Sequence, residues 1–383
     1  MAGNRTVEEL LQKLNQLGRF TIIQEQAPLS DAEIDRMLQG FPYKIPHELR
    51  AYYRRCNRVY EAEKESGWLF PGGHIRTLQS AVELYPTLVE IAADITIKAA
   101  ELSKLFSAVM ADPYFVAGSL FDGLWLSLAR YCLPIMGDGA GGHYIVLCQP
   151  VVQATAPIYY IYFQGDELYL AFDSLTGLLA TVVAAFEAGA YTVNEVGYVL
   201  EDRAKLAPII NHYNPHRRQY FLRAAQANSM PEVVANLAHP DPDVRKNAFQ
   251  AVRYLYEPDT VPLLIQALQQ PTPQARRYAA QLLSEQQDPQ AADALLAALQ
   301  DGDAEVREFA AIALGYLPDL RAVDALIPLL NDAVGKVRQR AASALGSLGE
   351  PRAIPHLVEH LNDPDKDARR FVELAIEELE RKR

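Results

Sequence analysis

One register constrains this chain more than any other feature: from Met230 to Arg383 the sequence repeats itself every thirty-one residues. The segments PDVRKNA, PQARRYA, AEVREFA, GKVRQRA and KDARRFV align, which places Arg245, Arg276, Arg307, Arg338 and Arg369 at one repeat position. Leu237, Leu268, Leu299, Leu330 and Leu361 share a second position, and Ala248, Ala279, Ala310, Ala341 and Val372 a third. A fixed period of this length with apolar residues at helical spacing describes a supersecondary unit that cannot bury its apolar face alone and stacks on its neighbours.

Each of the five copies reads as two helices. The first, as in Val261 to Gln269 or Val323 to Leu330, accommodates Pro262 or Pro355 in its opening turn, where a missing N–H is no loss. Asp241, Asp303 and Asp365 precede the repeated arginine by four residues, the place for a carboxylate that caps the second helix; Thr272 offers a hydroxyl there, and Val334 nothing. The second helix, Val244 to Leu255 or Val306 to Leu314, is rich in alanine, so adjacent layers can approach closely. Gly315 and Gly346 are expected to end it in two copies through a left-handed turn.

This pattern resembles the HEAT-like repeats of the phycobilisome-lyase type. The resemblance implies an all-α solenoid over residues 230–383 whose repeated arginines, Arg245, Arg276, Arg307, Arg338 and Arg369, are structural and pair with acidic neighbours in the adjacent layer.

The first two hundred residues follow another grammar. Thr6 and Glu9 form a capping box for a helix running to Gly18, and a second helix follows Ser30. Pro46 opens a helix on which Leu49, Tyr52, Tyr53 and Cys56 share a face, and Asn57 can close it. Trp68-Leu69-Phe70 leads to a turn at Pro71-Gly72-Gly73, and residues 84–110 carry a long helical pattern interrupted near Pro86. From Leu124 the period becomes that of strands: one strand, a glycine loop at 137–142, a second strand, then a hairpin of Pro157 to Phe163 and Leu168 to Phe172. A helix from Leu175 to Gly189 completes an α+β layer. The Pro46-x-x-Leu49-x-x-Tyr52-Tyr53 helix ending at Asn57, the Trp68 region, Leu133-Pro134-Ile135 running into Asp138-Gly139-x-Gly141, the strand from Ile158 to Tyr162 and Ser174-Leu175 occur in the order found in the SMI1/KNR4 (SUKH) family, which this region resembles. The expected organisation is therefore a SUKH-like α+β domain at 1–200, an antiparallel sheet with flanking helices; a helical connector at 201–229; and five repeats at 230–383.

Charge narrows the partners. Net charge is −12, with 19 basic and 24 acidic side chains before residue 230 and 17 and 24 from there on. Counterion release from phosphates needs clustered Lys and Arg, so direct nucleic-acid binding is disfavoured and a basic protein partner is favoured. The connector 203–223 has five basic residues and no acidic one, while 101–202 sets Lys104 and Arg130 against eleven acids. The connector is thus expected either to seal the first repeat or to dock on that acidic stretch. Cys56, Cys132 and Cys148 are too few and too irregularly spaced for a disulfide framework or a metal site and read as buried thiols in a reducing compartment. No stretch approaches the ~20 apolar residues of a membrane helix and the N-terminus lacks an apolar leader, so the expectation is a cytoplasmic protein.

Four constellations have the outline of chemistry. Gly137, Gly139 and Gly142 have dinucleotide-loop spacing, but His143-Tyr144-Ile145-Val146-Leu147 continues as a strand where a helix would have to begin. His356, Glu359 and His360 match H-x-x-E-H, yet fall in the first helix of the fifth repeat with 23 residues remaining for a third metal ligand. Asp166, Glu167 and Asp173 read as turn and loop carboxylates rather than a general acid/base pair. Tyr159, Tyr160 and Tyr162 read as cross-strand packing rather than a stacking platform. No catalytic residue, cofactor or metal site is expected. The SMI1/KNR4 resemblance implies a bacterial immunity protein that binds and blocks a toxin such as a nuclease, with contacts expected at Asp122, Asp138, Asp166, Glu167 and Asp173. The alternatives are a regulatory scaffold bridging two client proteins and, from the repeats' resemblance, a phycobilin-lyase-like chromophore-handling protein.

Overall fold

The computed structural model describes residues 5–17, 28–56, 74–93, 132–137, 142–162, 167–194 and 199–381, apart from 256 and 258. The chain divides into two units, Met1–Ala224 and Ala225–Arg383.

In the first unit, α1 (Val7–Gln16) and α2 (Asp31–Met37) begin in capping boxes, Thr6 with Glu9 and Ser30 with Glu33. Each box satisfies two backbone donors reciprocally, so the start of each helix is encoded locally. Helix α3 (His47–Tyr53) follows Pro46 and buries Leu49, Tyr52 and Tyr53, with Cys56 buried just beyond its end. The helix expected over 84–110 begins earlier, as α4 (Leu78–Ala93) with Pro86 inside it; residues 94–110 lie outside the described part, as do Gly18, Asn57 and the 68–73 segment.

Five strands, β1 (His74–Ile75), β2 (Cys132–Gly137), β3 (Gly142–Leu147), β4 (Ile158–Tyr162) and β5 (Glu167–Phe172), form an antiparallel sheet in sequence order. Each successive pair is antiparallel, and the β2–β3 register shifts between Pro134 and Met136, where proline cannot donate to the ladder. Leu10, Leu14, Ile34, Leu49, Tyr53, Leu133, Ile135 and Met136 join Leu178 and Val182 of α5 (Leu175–Glu187) in one core. A two-stranded ribbon, β6 (Tyr191–Val193) with β7 (Val199–Glu201), follows; the sequence reading did not anticipate it.

Two buried carboxylates tie this unit together. Glu48, 6% exposed, accepts hydrogen bonds from the N–H groups of Ala156, Leu175 and Thr176 and from the Thr176 hydroxyl, joining α3 to the first turn of α5. Burial pushes its carboxyl above the ordinary range, against the pull of these donors. Asp173 holds the start of a later helix. Residues 203–224, expected as a separate connector, form α6 (Arg203–Tyr213) and α7 (Pro215–Ala224) of the first unit. Leu206 and Ile210 belong to its core. Between the helices, fully buried Asn214 accepts from Asp173 N–H and donates to Thr181 and to the Ile210 carbonyl. The boundary falls at 224/225 because these apolar and amide groups are packed against α5.

The second unit comprises five helix pairs among the described residues: α8 (Met230–Ala235) with α9 (Pro242–Leu255), α10 (Thr260–Ala267) with α11 (Pro273–Gln286), α12 (Ala292–Ala298) with α13 (Ala304–Tyr316), α14 (Arg321–Leu326) with α15 (Gly335–Leu348), and α16 (Ile354–Val358) with α17 (Lys366–Arg381). The first helix of the fourth pair passes into a 3-10 segment at Ile327–Asn331, because Pro328 lacks the N–H that an α-helix would need there. Asp241, Asp303 and Asp365 accept from N–H groups of the following helix, as their spacing predicts, and Val334 supplies no cap. Thr272 makes no capping hydrogen bond, contrary to expectation.

Gly315 and Gly346 also correct the sequence reading. Both lie within α13 and α15 and neither has a left-handed backbone; Gly349 takes that role after α15, with φ 75°. A Cβ on Gly315 would stand 2.9 Å from Ala344 Cα, and one on Gly346 3.0 Å from Ala375 Cα. These glycines let second helices of adjacent layers touch backbone to backbone, the role expected of the alanines.

Candidate functional site

The repeated arginines form a ladder inside the second unit. Arg276 donates from Nε and Nη2 to the Asp301 carboxylate at 2.8 and 2.9 Å, Arg307 to Asp332 at 2.7 and 3.0 Å, and Arg338 to Asp363 at 2.7 Å twice. The remaining nitrogen, Nη1, donates to the carbonyl six residues back, of Gln270, Asp301 and Asp332 respectively. Each aspartate in turn caps the N–H two residues on, of Asp303, Val334 and Asp365. One guanidinium thus pins the loop of its own layer and the loop of the next, through charge-assisted, bidentate bonds. Arg338 holds the Asp363 carboxyl below its ordinary range. The rungs support pairing across layers as the role of these arginines.

The ladder is incomplete at its first step. The residue twenty-five beyond Arg245 is Gln270, and Arg245 Nε is buried without a hydrogen-bond partner, its Nη1 reaching only the His239 and Pro240 carbonyls. Arg369 donates to the Asp363 carbonyl.

Among the residues expected to contact a partner, Asp122, Asp138 and Asp166 lie outside the described residues, and Glu167 opens β5 opposite Tyr162. Asp173 is a correction. It is 6% exposed and its oxygens accept from the His216 N–H, the Arg217 N–H and, at 3.0 Å, face His216 Nδ1. Burial raises its carboxyl, with these partners pulling the other way. It anchors the first turn of α7 from inside the unit and offers no surface to a partner.

The other constellations resolve into packing. Tyr160 lies between Tyr144 and Tyr169, both with ring centroids at 5.1 Å, and Tyr159 contacts Tyr220. His360 bonds through its ring to the His356 carbonyl and to Asn331, and no group of three potential metal-ligating His, Cys, Asp or Glu occurs among the described residues. Gly137 and Gly142 close β2 and open β3, while Gly139 lies outside the described residues. The three cysteines are buried and free, and burial pushes the Cys56 and Cys148 thiols up to about 12.

The surface suited to a partner is one the sequence reading missed. Helices α15 and α17 border a groove of about 460 Å³ whose lining includes Ser343, Phe371, Leu374, Ala375, Glu377 and Arg381. Leu374 is 46% exposed. A leucine left half open to water beside an aromatic ring and a carboxylate is the composition of an apolar anchor point with a charged rim. The signal was present in the register: sister copies carry Gln250, Gln281, Ile312 and Ser343 at the position of Leu374, so a leucine there departs from a mainly polar stripe.

No helix among the described residues is long and apolar enough to cross a membrane. No curated protein matches the chain. Among solved structures, the complex of CpcE and CpcF of phycocyanin lyase from Nostoc sp. PCC7120 is similar at 26% identity, over 38% of this chain and 96% of that one, with a TM-score of 0.35. Human deoxyhypusine hydroxylase shares 22% identity over 55% of this chain and 82% of its own, with a TM-score of 0.29. A computationally designed armadillo repeat protein for modular peptide recognition shares 18% identity over 42% of this chain and 86% of its own, with a TM-score of 0.33. Residues 230–306 and 292–377 match the family model of HEAT repeats, so the helix pairs of the second unit are repeats of that kind.

Proposed function

We propose that this chain is a non-catalytic protein-binding protein, and that its partner is a basic protein engaged through the α15–α17 groove. The observation that carries the reading is this groove, with Phe371 and Leu374 ready to receive an apolar side chain and Glu377 exposed at the rim. Association would draw its affinity from burying the leucine and ring, and its encounter rate from the −12 net charge. HEAT repeats, which suit extended protein recognition, support the reading.

Within that class, the reading is a cytoplasmic bacterial immunity-type protein that neutralises a toxin, such as a nuclease, by direct binding. The order of SMI1/KNR4-like motifs before residue 190 supports this, as does the match between an acidic chain and a toxin built to hold nucleic acid. The test is coexpression with any toxin-like protein that the reading frames beside this gene encode. Wild type restores growth and binds the toxin, whereas L374D and E377K fail to do so while keeping wild-type thermal stability. A toxin left unbound and fully active beside a folded wild-type chain refutes the reading.

A further inference from the structure

The α15–α17 groove is one flank of a wider dip in the second unit. Second helices of adjacent layers meet backbone to backbone, so residues thirty-one apart hold equivalent places on successive helices. Ser343 and Ser347 of α15 line the groove together with Phe371, Leu374 and Glu378 of α17. One layer back, on α13, the places of those two serines are held by Ile312 and Tyr316. Ile312 is half-buried, and Tyr316 is 62% exposed. Short side chains on α15 are thus flanked by longer ones on both neighbouring helices, and the face dips along α15. Arg340, which holds on α15 the place of Phe371, is drawn aside to Glu308 of α13 at 3.3 Å, so its charge is matched from within the array.

The dimensions of the dip select its occupant. Packed helix axes lie about 8–10 Å apart, which sets α13 and α17 roughly 16–20 Å apart across α15. An α-helix with its side chains is about 10–12 Å across, and it directs side chains downward and to both sides at once. An extended strand directs its side chains to two opposite faces only and cannot meet the floor and both walls together. Both walls offer apolar contact, Ile312 and Tyr316 on one side and Phe371 and Leu374 on the other. Charge then sets the polarity of the contact. Glu377 and Glu378 follow Leu374 by three and four residues, about 5–6 Å along the helix surface, and together outweigh Arg381.

Taking the groove as the partner surface proposed above, we infer that its occupant is an amphipathic, basic α-helix of the partner, lying along α15 between α13 and α17. Its apolar stripe rests on Tyr316 and Leu374. A lysine or arginine one turn from an apolar anchor faces Glu377 and Glu378, because residues three or four apart on a helix have the same spacing as Leu374 and these carboxylates.

The test is fluorescence anisotropy of the full chain with three labelled peptides. The first is a leucine–lysine–alanine peptide of about eighteen residues, or five turns, with its leucines on one helical stripe. The second has the same composition reordered so that leucine and lysine alternate as in a strand, and the third is the first with glutamate in place of lysine. The first is expected to bind saturably and about tenfold or more tightly than either other peptide. Y316A and L374A are each expected to weaken it about fivefold or more, with thermal denaturation confirming the fold. E377K, which leaves the apolar contacts in place, is expected to weaken the lysine peptide and strengthen the glutamate one. Absence of saturable binding of the first peptide overturns the inference, as do equal binding of the alternating peptide and unchanged binding by Y316A and L374A. A protein partner that is lost on L374D while the helical peptide fails to bind overturns the helix and leaves the groove; a partner indifferent to L374D overturns the groove itself.

Discussion

Substituting Gln270 with aspartate should complete the ladder and stabilise the repeats. In the three formed rungs the arginine Nε donates to a carboxylate oxygen at 2.7–2.8 Å, and the paired side chains are 16% or less exposed. At Arg245 the same Nε is buried and unmet, while its Nη1 already reaches the His239 carbonyl as its sister residues reach theirs. The guanidinium is therefore oriented, and only the acceptor is missing. A hydrogen bond to a charged group is worth about 1.5–3 kcal/mol net. Ordering the new side chain and withdrawing it from water reduce this, leaving roughly 1–2 kcal/mol. For a unit of this size each kcal/mol moves Tm by about 2–4 °C. The assay is urea and thermal denaturation of the full chain in a double-mutant cycle with R245Q, since an aspartate before α11 also interacts with the helix dipole regardless of Arg245. A coupling of about 1 kcal/mol or more is expected. Equal effects of Q270D in the Arg245 and R245Q backgrounds would refute the rung as the source of stability.

Four other outcomes follow from the same geometry. R307A leaves the Asp332 carboxylate, only 9% exposed at the side chain, without its main partner and should lower stability by roughly 2–3 kcal/mol by urea denaturation, with a smaller loss in partner affinity. G315A and G346A should destabilise by about 1–3 kcal/mol by the same measurement, although alanine favours a helix interior, because the added methyl meets Ala344 or Ala375 backbone. E48A should destabilise the first unit by about 2–3 kcal/mol, seen as loss of amide protection at Ala156, Leu175 and Thr176 in hydrogen exchange. Acid should act oppositely on the two kinds of carboxylate: Asp363, depressed by Arg338, contributes stability above its unfolded pKa of about 4 that is lost as pH falls through the lower folded value, whereas Glu48, raised by burial, favours the fold more as pH falls from neutrality through its raised value toward about 4. Comparing D363N and E48Q with wild type in stability–pH profiles separates these contributions.

Much of the architecture was legible because it is written in local or periodic signals. The two capping boxes need only a hydroxyl and a glutamate three residues apart, and both formed. The thirty-one-residue step gave the helix pairs of the second unit. What escaped depends on partners distant in sequence. Glu48 looks like an ordinary acidic residue in the first turn of a helix, and nothing near it announces that Ala156, Leu175 and Thr176 will surround it. Asp173 read as a loop carboxylate open to a partner because its acceptors' donors, on His216 and Arg217, arrive more than forty residues later. Gly315 and Gly346 were assigned the commonest use of a glycine near a helix end. Their use is steric instead, and it becomes visible only when the next layer brings Ala344 and Ala375 against them.

The same interactions distribute stability unevenly through the repeats. The complete rungs join the loop before α11 to the one before α13, that one to the loop before α15, and that one to the loop before α17. Backbone-close glycine contacts unite α13 with α15 and α15 with α17. The step from α9 to α11 has neither device: its repeated arginine lacks an acceptor, and Arg253, at the position of Gly315, instead reaches Glu285 of α11 through a half-exposed ion pair at 3.0 Å, which screening weakens. In a linear array, stability is the sum of each layer and its interfaces, so the weakest interface decides where the array opens. Opening should therefore begin between α9 and α11, while the α15–α17 groove lies in the most firmly joined part. That placement suits a binding surface, since a groove held rigid before its partner arrives loses less conformational freedom on association.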